Sequence, residues 1–204
     1  TMFPVNVRFK DDRFTYRGLR YEMPRMGLAV EAEFTTKETP DDPGSVVLVL
    51  ESSEQTLSHY PFPFRLEVTS TLAGLRLNQR YQIINTGSAT MYFALGGHPG
   101  FRTPLHSGRT RADYQIRFAK TLRVDRNVID DGLITNHRLP FLDDEDRLSL
   151  DDPRVPSSGM FLQAHDSRQI SVALKGRDPY VTVDLGDFPN TNLWSPPGMP
   201  YVCI

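Results

Sequence analysis

Leu75-Arg76-Leu77-Asn78-Gln79-Arg80-Tyr81-Gln82-Ile83-Ile84-Asn85 is the stretch that decides the fold class. At a period of two, Leu75, Leu77, Gln79, Tyr81 and Ile83 share one face, while Arg76, Asn78, Arg80 and Gln82 share the other. No helical period fits this pattern. Residues 62–71 precede it across Ala73-Gly74, so the two runs read as an antiparallel hairpin.

Moving outward, short extended pieces are expected at residues 5–9, 14–17 and 29–34, with turns at Asp11-Asp12 and Arg17-Gly18. A polar loop over 37–45 contains Pro40, Pro43 and Gly44, and a strand follows at 46–51. Residues 52–57 read as one helical turn that Pro61 stops. Downstream, strands are expected at 91–95, twice within 114–124, and at 160–163, 169–175 and 180–185. The acidic stretch 126–156 reads as the least regular part, a solvated loop; Asp143-Asp144-Glu145-Asp146 does not match the spacing of a calcium loop, and no metal is expected. The whole is an all-β protein, a large antiparallel β-sandwich in a single domain over 1–204.

Composition narrows the function. A formal charge of −2, with Lys and Arg interspersed among Asp and Glu, offers no field for nucleic acid. No apolar run approaches bilayer length, and the first residues show no signal-like pattern, so a soluble protein without membrane partners is expected. Cys203 is the only cysteine, which rules out an intrachain disulfide and is compatible with the cytoplasm. The chain opens just before Phe3-Pro4-Val5 and stops on the strand-like Tyr201-Val202-Cys203-Ile204, so it reads as part of a longer fold.

The candidate for chemistry is His98, in Leu95-Gly96-Gly97-His98-Pro99-Gly100-Phe101. Pro99 biases His98 toward extended backbone, and the flanking glycines permit conformations and close approaches that side chains block. His106, His137 and His165 lie in polar surroundings at no ligand-like spacing and read as surface residues. Trp194 can stack on a flat apolar ligand face or close a core. Asp184 and Asp187 flank Gly186, where one can cap a turn and the other bind a ligand. Gln163 and Arg168 read as surface groups.

Four motifs, in order, carry a resemblance: Phe3-Pro4-Val5-Asn6-Val7-Arg8, Tyr60-Pro61-Phe62-Pro63-Phe64, Gly96-Gly97-His98-Pro99-Gly100-Phe101, and Leu193-Trp194-Ser195 leading into Pro200-Tyr201-Val202-Cys203-Ile204. Together they resemble the aldose 1-epimerase (galactose mutarotase-like) family over almost the entire chain. The resemblance implies a β-supersandwich that binds a monosaccharide, uses no cofactor and interconverts the α and β anomers of an aldohexose. An acid protonates the ring oxygen, a base takes the C1 hydroxyl proton, and the opened sugar turns about C1–C2 before closing. Each positioned proton handler typically contributes about 10²–10⁴ in rate. The family pattern implies His98 as the acid and Arg8 as a donor to sugar hydroxyls, a role that suits a guanidinium with several fixed donors. Trp194, Asp187 and His59 are the further substrate-binding candidates.

Two departures from the family pattern stand out. Met26 occupies the position of a second active-site histidine, and methionine can neither donate a hydrogen bond nor carry a proton. The family's general base is a glutamate directly after the strand that here ends at Ile204. Two alternatives follow: a hexose-6-phosphate 1-epimerase, with Arg102, Arg109 and Arg111 as a cationic pocket, and a non-catalytic carbohydrate-binding protein.

Overall fold

The structure is a computed structural model that describes residues 1–37 and 43–204. Pro40 of the expected polar loop lies outside the described residues. The chain groups into two compact units, Thr1–Gly97 and His98–Ile204. Every pairing between named strands is antiparallel, as the sequence pattern requires. Among the described residues no helix is long and apolar enough to cross a membrane.

The first unit begins with a small hairpin, β1 (Arg13–Tyr16) and β2 (Leu19–Glu22). Its turn is Arg17-Gly18, with both residues at positive φ. A sheet of order β3 (Thr35–Lys37), β4 (Ser45–Glu51), β5 (Phe64–Ala73) and β6 (Arg76–Asn85) follows. Between β4 and β5, α1 (Glu54–His59) is closed by a reciprocal cap: Thr56 donates its backbone N–H to Ser53 Oγ, and Ser53 N–H bonds Thr56 Oγ1.

The alternation in the hairpin is the one read from the sequence. Leu66 pairs with Ile83 and Val68 with Tyr81, and these face the core. Beyond Ser70 the hairpin outruns its core, so Leu72 and Leu77 are exposed although they keep the apolar phase. Leu75 is no strand residue; Gly74-Leu75 makes the turn. Phe3, Tyr60, Phe62 and Phe64 form the centre of this unit, with Phe3 edge-on to Phe64 at 4.9 Å between ring centroids. Burying each such ring contributes about 1.5–3 kcal/mol.

Three expected strands of this unit are not found. Residues 5–9 form no strand, and the 29–34 piece opens in a 3₁₀ turn, Leu28–Val30. Residues 91–95 run as irregular backbone, held by Ala94 N–H on Pro4 O at 2.8 Å and ending in a single Met2–Gly96 bridge. With one bridge and no continuous partner, apolar residues alone do not make a ladder.

The second unit holds β7 (Gly100–Arg102), β8 (Tyr114–Asp130), β9 (Leu133–Ser149), β10 (Met160–Leu162), β11 (Gln169–Leu174), β12 (Pro179–Asp184), β13 (Thr191–Leu193) and β14 (Tyr201–Cys203). The order is β12-β11-β8-β10-β13, with β9 also on β8 and a separate β14-β7 ribbon. Here the reading of 114–124 and 126–156 is corrected. One 17-residue strand, β8, replaces two short ones, and most of the supposedly irregular stretch is its partner β9. Asp131-Gly132, at φ 44° and 74°, is the two-residue hairpin turn. Four register shifts along the β8–β9 pair break the alternation that would have revealed it.

The acidic run serves the hairpin. Arg123 pairs with Asp143 and Asp144, and Arg154 joins Glu145 and Asp152 at 2.6 and 2.8 Å while donating to Phe141 O. Arg154 holds the carboxyls of Glu145 and Asp152 below the ordinary range. Among the described residues no cluster of three metal-ligating side chains exists.

His165, expected at the surface, is buried. Its Nε2 meets Thr191 Oγ1 at 2.9 Å, and Nδ1 has no partner among the described residues. Burial, reinforced by the Arg168 charge, lowers its pKa. Below about pH 6.5 the unfolded chain therefore binds a proton that the folded chain resists, and stability falls with pH. The urea midpoint should drop between pH 7 and pH 5, and His165→Asn should flatten that slope; an equally steep drop in the variant would contradict the assignment.

Residues 193–200 are pinned by Arg111. Its guanidinium donates to Ser195 Oγ at 2.6 Å, Ser195 O at 2.7 Å and Leu150 O at 2.9 Å. The Ser195 hydroxyl in turn donates to Tyr201 O at 3.0 Å. Hydrogen bonds to a charged group are worth about 1.5–3 kcal/mol, and their loss leaves buried carbonyls unpaired. Arg111→Ala should lower stability by about 2–4 kcal/mol in urea unfolding. It should also shift the emission of Trp194 to the red, and unchanged emission would show that this anchor does not hold the segment.

Candidate functional site

His98 opens the second unit and is exposed. Its ring nitrogens make no hydrogen bond with any described residue, and its ring lies 6.3 Å from that of Trp194, at 79° between planes. Trp194 is half-buried and directs Nε1–H to Ser157 O at 3.0 Å. The Tyr201 ring stands 5.7 Å from that of Trp194 between centroids. An unengaged imidazole beside the flat ring of Trp194 combines a proton handler with a stacking surface.

The backbone explains why these side chains meet. β14 lies between two partners: Cys203 pairs with Gly100 of β7 on one edge, and with Trp194 on the other through N–H···O bonds of 3.1 and 2.8 Å. Ile204 N–H then bonds Pro99 O at 3.3 Å, so the end of this strand runs beside His98. Cys203 itself is buried, which raises its thiol pKa and makes it a packing residue. Of the two roles expected of the glycines around His98, close approach is seen at Gly96 and unusual backbone conformation is not. None of Gly96, Gly97 and Gly100 is at positive φ. A Cβ on Gly96 would come within 2.6 Å of the Met2 side chain, whereas one on Gly100 would make ordinary contact.

Asn192 was not anticipated. Its Oδ1 is buried with no hydrogen-bond partner among the described residues, beside Gly159 and next in sequence but one to Trp194. No motif in Asn190-Thr191-Asn192 marks it in the sequence.

The remaining candidates are placed as follows. Asp187 is exposed, in a turn that Arg168 fixes through Gly186 O and Phe188 O and that Asp184 caps through Gly186 N–H. No hydrogen bond, ion pair or ring contact joins Asp187 to His98 or Trp194. Arg168 is thus a turn-holding group and Gln163 a surface one. In the first unit the Arg8 side chain is only 8% exposed and forks onto Asp12 at 2.9 and 3.0 Å. His59 Nδ1 donates to Glu22 O at 2.8 Å, which ties α1 to β2 and leaves Nε2 as the acceptor. Met26 is exposed, in a turn where Gly27, at φ 79°, has no room for a Cβ, only 2.2 Å from Phe3 O. The expected three-arginine pocket does not form, because the Arg111 guanidinium is committed to carbonyls and Ser195.

Comparison with known proteins gives this geometry its context. Two proteins of Lactococcus lactis subsp. lactis, Protein LacX of plasmid and of chromosomal origin, are each 28% identical over 95% of this chain and 67% of their own length. A structure described as a galactose mutarotase related enzyme from Lactobacillus acidophilus superposes with a TM-score of 0.88 at 26% identity, covering 99% of this chain and 68% of its own. A galactose mutarotase-like protein from Lactobacillus casei, 24% identical, has the same fold at a TM-score of 0.82, over 99% of this chain and 70% of its own. The all-β class and sandwich read from the sequence are therefore those of galactose mutarotase-like structures. The profile described as aldose 1-epimerase matches residues 1–203, and this chain belongs to the aldose 1-epimerase family.

Proposed function

We propose that the protein binds an aldohexose at His98 and Trp194 and interconverts its anomers by acid–base ring opening. The observation that carries this reading is the exposed, unengaged imidazole of His98 held against Trp194. Mutarotation needs an acid at the ring oxygen while the C1 hydroxyl loses its proton. His98 supplies the acid, and Trp194 offers its face to the apolar face of the pyranose. The sugar opens to the aldehyde, turns about C1–C2 and closes on the other face, and His98 takes the proton back.

The base is not assigned to a residue of this chain. Ile204 N–H bonds Pro99 O, the residue after His98, and the resemblance implies a glutamate base directly after this strand. Asp187 is the exposed carboxylate that this reading keeps as a sugar ligand. Arg8 and His59 have the chemistry of hydroxyl binders: Asp12 fixes the plane of the Arg8 guanidinium, and His59 offers Nε2 as an acceptor. Galactose is the first probe, since the Lactobacillus acidophilus relative is described as galactose mutarotase related. A cytoplasmic location belongs to the same reading.

Met26 favours the second reading, a carbohydrate-binding protein without turnover. Polarimetry separates the two. The parent protein should speed the mutarotation of α-galactose above the buffer rate, and His98→Ala should lower that rate by about 10²–10⁴ with unchanged circular dichroism. Saturable galactose binding with no acceleration by the parent would leave a binding protein, and a variant as fast as the parent would remove His98 from the chemistry.

A further inference from the structure

A second polar site lies in the second unit, apart from the side chains assigned to the sugar. A cleft of about 630 Å³ is lined by His106, Ser107, Arg109, Arg177, Asp178 and Tyr180. Two segments build it, the loop of residues 103–110 and the β11–β12 turn.

Both segments are fixed from below. The Tyr114 ring is fully buried, and its phenol oxygen accepts the backbone N–H of Leu105 and of His106, each at 3.0 Å. With both lone pairs engaged, the hydroxyl proton is directed to His106 Nδ1, 2.8 Å away. In neutral His106 the ring proton is therefore on Nε2, and the imidazole offers a donor from a fixed ring. Tyr180 holds the start of the loop by donating to Arg102 O at 2.9 Å and bonding Thr103 Oγ1 at 2.7 Å.

The turn is held equally well. Arg177 N–H bonds Leu174 O at 3.0 Å, Arg117 donates to Arg177 O at 2.6 Å, and Lys175 N–H bonds Asp113 O at 2.8 Å. Yet the Arg177 guanidinium makes no hydrogen bond or ion pair with any described residue. Arg109 has one distant carboxylate, Asp113 at 3.8 Å, which is itself capped on Thr110. Rigid backbone under an unengaged arginine is preorganised for an oxyanion.

We propose that this cleft binds the phosphate group of a phosphorylated polyol. Arg177 and Arg109 take the phosphate oxygens as charged donors, with His106 Nε2–H and the Ser107 hydroxyl as neutral ones. Asp178 would repel a bare anion, but as an acceptor it suits the hydroxyls of an ester. This inference stands independently of the His98 chemistry, because none of His98, Trp194 and Tyr201 lines the cleft.

Calorimetric titration of the protein with glucose 6-phosphate, inorganic phosphate and glucose tests it at low ionic strength. Glucose 6-phosphate should bind more tightly than inorganic phosphate. Arg177→Ala should weaken both at least about tenfold, and the Arg109→Ala, Arg177→Ala double variant should abolish binding of inorganic phosphate and leave glucose 6-phosphate no tighter than glucose. Asp178→Asn should weaken the ester alone. Equal affinity for the ester and free phosphate would overturn the polyol contact. No binding of either phosphate, or binding unchanged in the folded double variant, would overturn the site.

Discussion

Everything at the candidate site depends on β14 being hydrogen-bonded along both edges. Cys203 pairs with Gly100 on one side and with Trp194 on the other, and Ile204 reaches back to Pro99. The segment of His98 and Gly100 is far in sequence from the other two, and these backbone bonds bring the imidazole of His98 to the indole of Trp194. The site is therefore placed by main chain, which side-chain variation disturbs least.

Arg111 is the second constraint. In sequence it sits among arginines and looks like part of a cationic surface. In the structure its fork collects the carbonyls of Leu150 and Ser195 and the Ser195 hydroxyl, and so converts a proline-rich segment into a fixed one. Proline removes backbone donors, so residues 195–200 cannot hold themselves by a ladder, and a side chain with several donors does it instead. The same logic recurs at Arg154 and Arg168, each of which holds a turn or hairpin through carbonyls and carboxylates. Arg177 differs from these three in that its guanidinium has no partner among the described residues and lines a cleft.

Much of the fold was legible because the β5–β6 hairpin, β4, α1 and the strands from β10 to β12 follow simple periodicity and turn chemistry. What escaped did so for identifiable reasons. Register shifts hid the β8–β9 hairpin, although Asp131-Gly132 is a hairpin turn pair and marks its position. Residues 91–95 have strand composition but too few partners to be a strand. At the site, His98 and Trp194 were marked by their surroundings in sequence, and the contact between them required the pairing of β14. His165 looked polar because its neighbours are Asp166, Ser167 and Arg168, while its burial follows from strands remote in sequence. Asn192 and the His106–Arg177 cleft carry no local signal, because orphaned acceptors and clefts arise only from packing.

The central claim is that His98 and Trp194 face one sugar. Trp194 is the sole tryptophan, so the intrinsic emission reports this place alone. Titration of galactose into the protein should change that emission saturably, with a midpoint equal to the calorimetric affinity and raised in His98→Ala. Calorimetric binding of galactose with no change in Trp194 emission would put the sugar elsewhere and contradict the account.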